Sequence, residues 1–259
     1  LVIGNPIEHS LSPKLHNYWI KKNNIDAAYD KKKINEDDIK DIITEVKNGK
    51  IDGINVTVPF KKSVIPFLDK LTPIADEAQS VNTVYKENNK VIGHNTDTGG
   101  FELGLRCINY DVKKKKIFIL GAGGVVFSII LALKKMEAFK IILSNRTKQK
   151  AEDLKKIYSD LEIIDWGQIT DFDMIINATS LGLKNNDQIQ LDLSKVGKGK
   201  LFYDVIYNPT KTNFLLQGEK KGNQTENGKM MFIYQAHQAF TIWHKILPEV
   251  DDETIKLLD

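Results

Sequence analysis

An α/β protein of two lobes is the fold class this sequence predicts, and three observations carry it. From about Lys116 onward, short apolar runs alternate with helical stretches, the rhythm of a parallel, doubly wound sheet. A glycine-rich turn, Gly121-Ala122-Gly123-Gly124, separates the first such run from the first such helix. The first hundred residues alternate strand and helix without that turn, and the chain closes on a long helical stretch. The expected organisation is an N-terminal α/β domain over residues 1–97 and a doubly wound, Rossmann-type dinucleotide-binding domain over 98–229. C-terminal helices over 230–259 are expected to return to the first lobe, with a cleft between the lobes.

Each element has its own justification. Residues 1–4 read as a strand stub. Ser12-Pro13 opens a helix over 12–22, because proline suits the first helical turn; Leu15 and Trp19 form its apolar stripe, with Tyr18 and Ile20 nearby. Residues 27–33 read as a strand, and 37–47 carries Ile39, Ile42, Ile43 and Val46 at helical spacing. A strand over 51–58 and a helix over 72–79 follow. Two strands then pair around Glu87-Asn88-Asn89-Lys90 and end at Gly93-His94-Asn95. In the second half, strands are expected at 117–120, 140–143, 162–164, 174–176 and 201–205, with helices at 125–136 and 148–158. Helices at 230–246 and 251–258 complete the chain.

Composition narrows the function classes. The chain has 259 residues, 41% hydrophobic and 27% charged, the balance of a soluble globular protein. No apolar run reaches membrane-spanning length; the longest, around 125–133, is interrupted by Ser128 and followed by Lys134. No signal-peptide pattern is visible, and a start at Leu1 rather than Met predicts a few residues in front. A single cysteine, Cys107, excludes an internal disulfide and points to a reducing cytoplasm. A net charge of +3 gives no case for a nucleic-acid or membrane partner, and the lysine run at 113–116 reads as a solvated loop. Only two arginines occur, Arg106 and Arg146, so a position that keeps one is a position where a planar fork is useful.

The segment Asn55-Val56-Thr57-Val58-Pro59-Phe60-Lys61 sorts side chains by job. With period two, Ile54, Val56 and Val58 share one face, while Asn55 and Thr57 share the other. Pro59 cannot continue a central ladder, so Lys61 falls where a turn or helix begins. An amide, a hydroxyl and an ammonium at one strand end suit a polar small molecule. The competing reading is a strand edge with a solvated lysine.

The glycine turn lies where a dinucleotide fold cradles pyrophosphate: no Cβ blocks the backbone, and a helix N-terminus faces the anion. Tight strand–helix packing explains such a turn about as well. Some twenty residues on, the acid that selects NAD is replaced by Asn145-Arg146-Thr147. A guanidinium there favours a 2′-phosphate, by roughly ten- to a hundredfold for a charge-assisted bond. The alternative is that Asn145 and Thr147 cap the next helix.

Taken together with Asn5-Pro6-Ile7-Glu8-His9-Ser10-Leu11-Ser12-Pro13, Asn82-Thr83, Asn95-Thr96-Asp97, Asn177-Ala178-Thr179-Ser180-Leu181-Gly182, Asp204-Val205-Ile206-Tyr207-Asn208-Pro209 and Gln235-Ala236, these motifs resemble the shikimate dehydrogenase family over essentially the whole chain. The resemblance implies an NADPH-linked, reversible reduction of 3-dehydroshikimate to shikimate by a cytoplasmic monomer or homodimer. It implies Lys61 and Asp97 as the catalytic pair. Ser10 and Ser12 would bind the substrate carboxylate with Tyr207 and Thr57, and Asn55, Asn82, Asp97 and Gln235 would surround the ring hydroxyls. Gly121, Ala122, Gly123, Gly124, Asn145, Arg146, Thr147, Ala178, Thr179, Ser180, Val205, Gly228 and Met231 would meet NADP. The chain departs from the family at Val125-Val126, where small residues are usual, at Phe127, near the place of a frequent arginine, and at Met230, in place of a glycine.

A lysine beside a ring carbonyl supplies both a cation and a transferable proton as oxygen charge develops. Asp97 has a rival role as an N-cap in Thr96-Asp97-Thr98-Gly99. Two other functions compete: a quinate or quinate/shikimate dehydrogenase, and a non-catalytic NADP-binding sensor of the same fold. The five histidines share no ligand spacing and read as satisfied polar or surface groups rather than a metal site. Trp19, Trp166 and Trp243 read as packing residues, with Trp243 fastening the last long helix to the first lobe.

Overall fold

The computed structural model describes residues 1–184 and 187–259. It contains two compact units, Leu1–Phe101 with Phe232–Asp259, and Glu102–Met231.

The first unit begins β1 (Val2–Gly4), α1 (Ser12–Lys22), β2 (Lys31–Lys33), α2 (Ile39–Lys47), β3 (Gly53–Val56), β4 (Lys70–Leu71), α3 (Pro73–Ala78), β5 (Thr83–Glu87) and β6 (Lys90–His94). These strands form one mixed sheet in the order β2-β1-β3-β5-β6-β4. β1 runs parallel to β2 and β3, while β5 is antiparallel to β3 and β6. The β5–β6 turn places Asn88 and Asn89 at φ +50 and +61, the left-handed pair that a two-residue hairpin demands and that asparagine tolerates. Ile3, Ile54 and Val56 of the sheet meet Ile39, Ile42, Ile43 and Val46 of α2 in one buried cluster. Those four α2 residues are the ones whose spacing predicted the helix.

The boundary between units falls inside α4 (Asp97–Cys107). The second unit continues with β7 (Lys116–Leu120), α5 (Gly124–Lys135), β8 (Lys140–Ser144), α6 (Lys148–Ile157), β9 (Glu162–Ile164), β10 (Met174–Asn177), β11 (Leu201–Asp204), α7 (Asn213–Lys220) and β12 (Gln224–Glu226). Its sheet is parallel throughout, in the order β12-β11-β10-β7-β8-β9. Ile117, Phe118, Ile119 and Leu120 are all fully buried, because helices on both faces leave β7 no solvent side. The strand order reverses at β7, which is where such sheets open a ligand crevice. α8 (Lys229–His244) crosses back into the first unit, and α9 (Asp252–Lys256) ends the chain. Within the first unit Trp243 of α8 donates from Nε1 to the Val84 carbonyl at 3.2 Å. It also lies over Gly53, where an added Cβ would come within 2.2 Å of the indole, so β3 must have glycine there. No helix among the described residues is long and apolar enough to cross a membrane.

Several expectations are corrected. The strand expected at 51–58 stops at Val56, and Val58, placed on the buried face by period two, is 55% exposed. The alternation fails because the backbone turns at residue 58, and a period of two holds only along an extended chain. The strand expected at 27–33 shrinks to three exposed lysines on a sheet edge, a charge pattern that discourages further pairing. Of the elements not anticipated, β12 is three polar residues, and α7 is an eight-residue helix whose buried face is only Phe214, Leu215 and Gly218.

Candidate active site

In the first unit, Lys61 stands in the turn after β3, whose backbone is held by Phe60 N–H donating to the Thr57 carbonyl at 2.9 Å. The Lys61 carbonyl accepts from Val81 N–H at 2.8 Å, which anchors the turn to the start of the β5 segment. Its ammonium donates to Asp97 Oδ2 at 2.6 Å, and the two residues are only 7% and 5% exposed. The solvated-lysine reading is therefore excluded. Asp97 is the first residue of α4, but it does not cap that helix: Asn95 Oδ1 accepts from Thr98 N–H and from Thr98 Oγ1, both at 3.0 Å. Asn95 is the capping side chain, and Asp97 is left for Lys61.

Asn82 joins this pair to the rest of the pocket. Its amide donates to Asp97 Oδ1 and to Thr96 Oγ1, both at 2.9 Å, and more weakly to Gln235 Oε1 of α8 at 3.5 Å. Its oxygen accepts from Thr96 N–H at 2.8 Å, which fixes which way the amide faces. Asn55 donates to the Asn82 carbonyl at 3.0 Å and to Thr83 Oγ1 at 3.2 Å. Thus Lys61, Asp97, Asn82 and Asn55 form one buried hydrogen-bonded cluster at the ends of β3, β5 and β6, and the half-buried Gln235 of α8 borders it. Ser12 N–H donates to Ser10 Oγ at 3.3 Å at the start of α1, and the Ser12 side chain bonds the Tyr29 hydroxyl. Thr57 follows β3, its N–H donating to the Ile3 carbonyl at 2.9 Å. A buried charge pair stays ionic only where its remaining hydrogen-bonding capacity is met, and Asn82 meets part of it here.

The second unit gathers the residues expected to meet a dinucleotide. Gly121 has φ +112, and a Cβ there would lie 2.7 Å from the Ala178 carbonyl, so only glycine passes. Gly123 caps α5 without a side-chain bond, faces open space, and leads into a first turn that has no acidic residue. That leaves positive backbone potential for an anion. The β10 loop is shaped by Asn177, whose Oδ1 accepts from Thr179 N–H at 3.0 Å and Thr179 Oγ1 at 2.7 Å. Val205 follows β11 and approaches Gly228, where a Cβ would fall 2.0 Å from the Val205 carbonyl. Tyr207 lies two residues on, half-buried, and Met231 is buried at the end of this unit. Arg146 follows β8, is exposed, and has no ion-pair partner among the described residues; Arg106 is bound to Glu102 at 2.8 Å. Asn145 Nδ2 donates to the Thr147 carbonyl at 2.8 Å, and Thr147 makes no side-chain cap, so the capping role expected of it is not taken up. The donor set suits NADP: a bare turn and helix end for the pyrophosphate, and an unpaired guanidinium for a 2′-phosphate.

Among the departures, Val126 and Phe127 turn inward and are buried. Of the histidines, His94 Nδ1 is bonded to Thr72 Oγ1 at 2.8 Å. His16 overturns the expectation of a satisfied polar or surface group: it is fully buried, and neither ring nitrogen has a partner. No cluster of His, Cys, Asp and Glu suited to a metal occurs among the described residues. Sequence reasoning also assigned nothing to Tyr29 or Thr96. Thr96 sits inside the Asn95-Thr96-Asp97 motif, which is the signal that points to it. Tyr29 has no such motif.

A two-unit α/β dehydrogenase, with a parallel dinucleotide-binding sheet in one unit and a polar cluster built around a buried lysine in the other, is the class these features define. The family model of the shikimate dehydrogenase substrate-binding domain matches residues 2–84, and that of shikimate/quinate 5-dehydrogenase matches 102–205. The NADP(+) shikimate dehydrogenase of Pelagibacter ubique is 61% identical over 259 residues, covering 100% of this chain and 98% of the relative. The crystal structure of the Aquifex aeolicus shikimate dehydrogenase superposes with a TM-score of 0.91 at 37% identity, over 99% of this chain and 95% of that one. The Thermus thermophilus shikimate 5-dehydrogenase in complex with NADP(H) and shikimate gives 0.89 at 27% identity, over 99% and 96%. This chain belongs to the shikimate dehydrogenase family. Its activity is the NADP-dependent oxidoreduction of shikimate.

Proposed function

We propose that the first unit carries the chemistry of a reversible reduction of 3-dehydroshikimate to shikimate, with Lys61 as acid and base and Asp97 as its partner. The observation that carries this reading is the buried Lys61–Asp97 contact at 2.6 Å. NADPH, when bound, supplies the hydride. Lys61 gives its proton to the oxygen of the ring ketone as negative charge develops there, so that oxygen becomes the new hydroxyl. In oxidation Lys61 takes that proton back. Asp97 keeps the Lys61 side chain aimed, and shares a hydrogen bond with the neighbouring ring hydroxyl. Ser10, Ser12, Thr57 and Tyr207 hold the carboxylate, while Asn55, Asn82 and Gln235 surround the hydroxyls.

The glycine turn, the loops at 145–147 and 178–180, Val205, Gly228 and Met231 hold NADP, with Arg146 on the 2′-phosphate. In functional terms residues 1–97 with 230–259 mainly serve the substrate and 98–229 mainly the cofactor, with Tyr207 and Met231 as the exceptions. The enzyme works in the cytoplasm, as a monomer or homodimer, on a small molecule rather than a nucleic acid; a charge of +3 and one exposed thiol, Cys107, accord with this. The test is purified protein with shikimate or quinate, each with NADP⁺ or NAD⁺, followed by absorbance of the reduced nicotinamide. Turnover is expected with shikimate and NADP⁺. Dominance of quinate with NAD⁺ would overturn the assignment, and no turnover with any pair would favour a binding protein.

A further inference from the structure

We infer that Tyr29 is a positioning residue for the substrate site, holding the side-chain oxygen of Asn55 where it can accept a hydrogen bond from a bound ring hydroxyl. The inference rests on the proposed place of Asn55 in that site.

Tyr29 belongs to no strand, yet it is 5% exposed. Its peptide has no ladder partner, and Asn17 of α1 takes that place. Asn17 Nδ2 donates to the Tyr29 carbonyl at 2.7 Å, and Tyr29 N–H donates to Asn17 Oδ1 at 2.9 Å. The adjacent His16 stacks on the Tyr29 ring with centroids 4.1 Å apart and planes 4° from parallel. Burial holds His16 well below its ordinary pKa, so this ring is a neutral plate. With both peptide and ring plane fixed by one helix, the phenol has a single direction.

In that direction Tyr29 Oη donates to Asn55 Oδ1 at 2.5 Å. Burial pushes the phenol well above its usual range, and the Ser12 side chain bonds the same hydroxyl. Both hydrogens of the Asn55 amide are already given to the Asn82 carbonyl and Thr83 Oγ1. What remains for a ligand is the second lone pair of Oδ1. Tyr29 is the only donor to that oxygen among the described residues; the Asn82 carbonyl, which can only accept, decides which end of the amide is nitrogen, and Tyr29 holds the oxygen in place.

The test is steady-state kinetics of Tyr29→Phe with shikimate and NADP⁺. Leaving a buried acceptor unmatched is expected to raise the KM for shikimate by about 5- to 50-fold. kcat should fall by no more than about threefold, and the KM for NADP⁺ should stay put, since the lost bond is neither at the reacting oxygen nor at the cofactor. Asn17→Ala keeps the hydroxyl but frees the peptide, and should shift the shikimate KM the same way by less. It also serves should the phenylalanine variant fail to fold. An unmoved shikimate KM in a folded variant, or equal rises for shikimate and NADP⁺, would overturn the role of Tyr29. A parent enzyme that ignores shikimate would instead overturn the function assigned above.

Discussion

The two units treat the cations proposed to work in them in opposite ways. Lys61 is buried, paired with Asp97, and tied through Asn82 to Asn55 and Gln235. Arg146 is exposed and unpaired among the described residues. A buried ammonium is costly to desolvate and is retained only with its partners satisfied, but in return its position needs no reorganisation when charge develops beside it. An exposed guanidinium is cheap to keep, and its attraction to a phosphate is screened by salt. In the proposed function, the first arrangement serves chemistry at one atom, and the second serves choice between two forms of a cofactor.

The largest expected effect tests the buried side. Lys61→Ala should lower kcat by about 10² to 10⁴ without disturbing the fold, because it removes the proton donor and leaves a cavity next to a carboxylate. Turnover and circular dichroism of the same sample check this, and near-normal turnover would break the comparison. The exposed side predicts less. Arg146→Ala should raise the KM for NADPH by about ten- to a hundredfold while that for NADH barely changes. The two sides also differ in salt response: NADPH preference should narrow as ionic strength rises, whereas the Lys61 effect should not. Equal effects of Arg146→Ala on both cofactors would remove Arg146 from the role.

The same contrast explains what the sequence revealed. Residues at segment ends inside motifs, such as Asn55, Lys61, Asn82 and Asp97, were legible because each sits at a strand end or turn where the backbone direction can be inferred. The parallel sheet was legible because β7, β8, β10 and β11 are continuous apolar runs. Asp97 as partner rather than cap could not be decided without coordinates, since Asn95 and Asp97 are both good capping residues and only geometry chooses between them. Tyr29 was invisible for a deeper reason. Its function comes from α1 clamping a non-strand residue, a long-range arrangement that leaves no local period. Val58 shows the converse failure, a period that was present and then abandoned at a turn.

Asp204 sharpens the comparison from a third direction, as a buried carboxylate with no cation paired to it among the described residues. It ends β11, accepts from Ile206 N–H and Asn177 Nδ2 at 3.0 Å, and accepts from Thr212 Oγ1 at 2.6 Å. Burial pushes its pKa up from 3.8 to about 6, despite those bonds. An acid raised on folding stabilises the fold fully only below its unfolded pKa, and that contribution is lost as pH rises through the folded value. Asp97, with Lys61 beside it, shows what Asp204 lacks. Asp204→Asn should therefore remove a pH dependence rather than a contact, because its amide oxygen can still accept from Ile206 and Asn177 while its nitrogen faces Thr212. Chemical unfolding at a series of pH values checks this. Relative to the variant, the parent protein should lose up to about 3 kcal/mol between roughly pH 4 and pH 7. Parallel stability curves would mean that Asp204 keeps an ordinary pKa, and that the loop ending β11 is held by its hydrogen bonds alone.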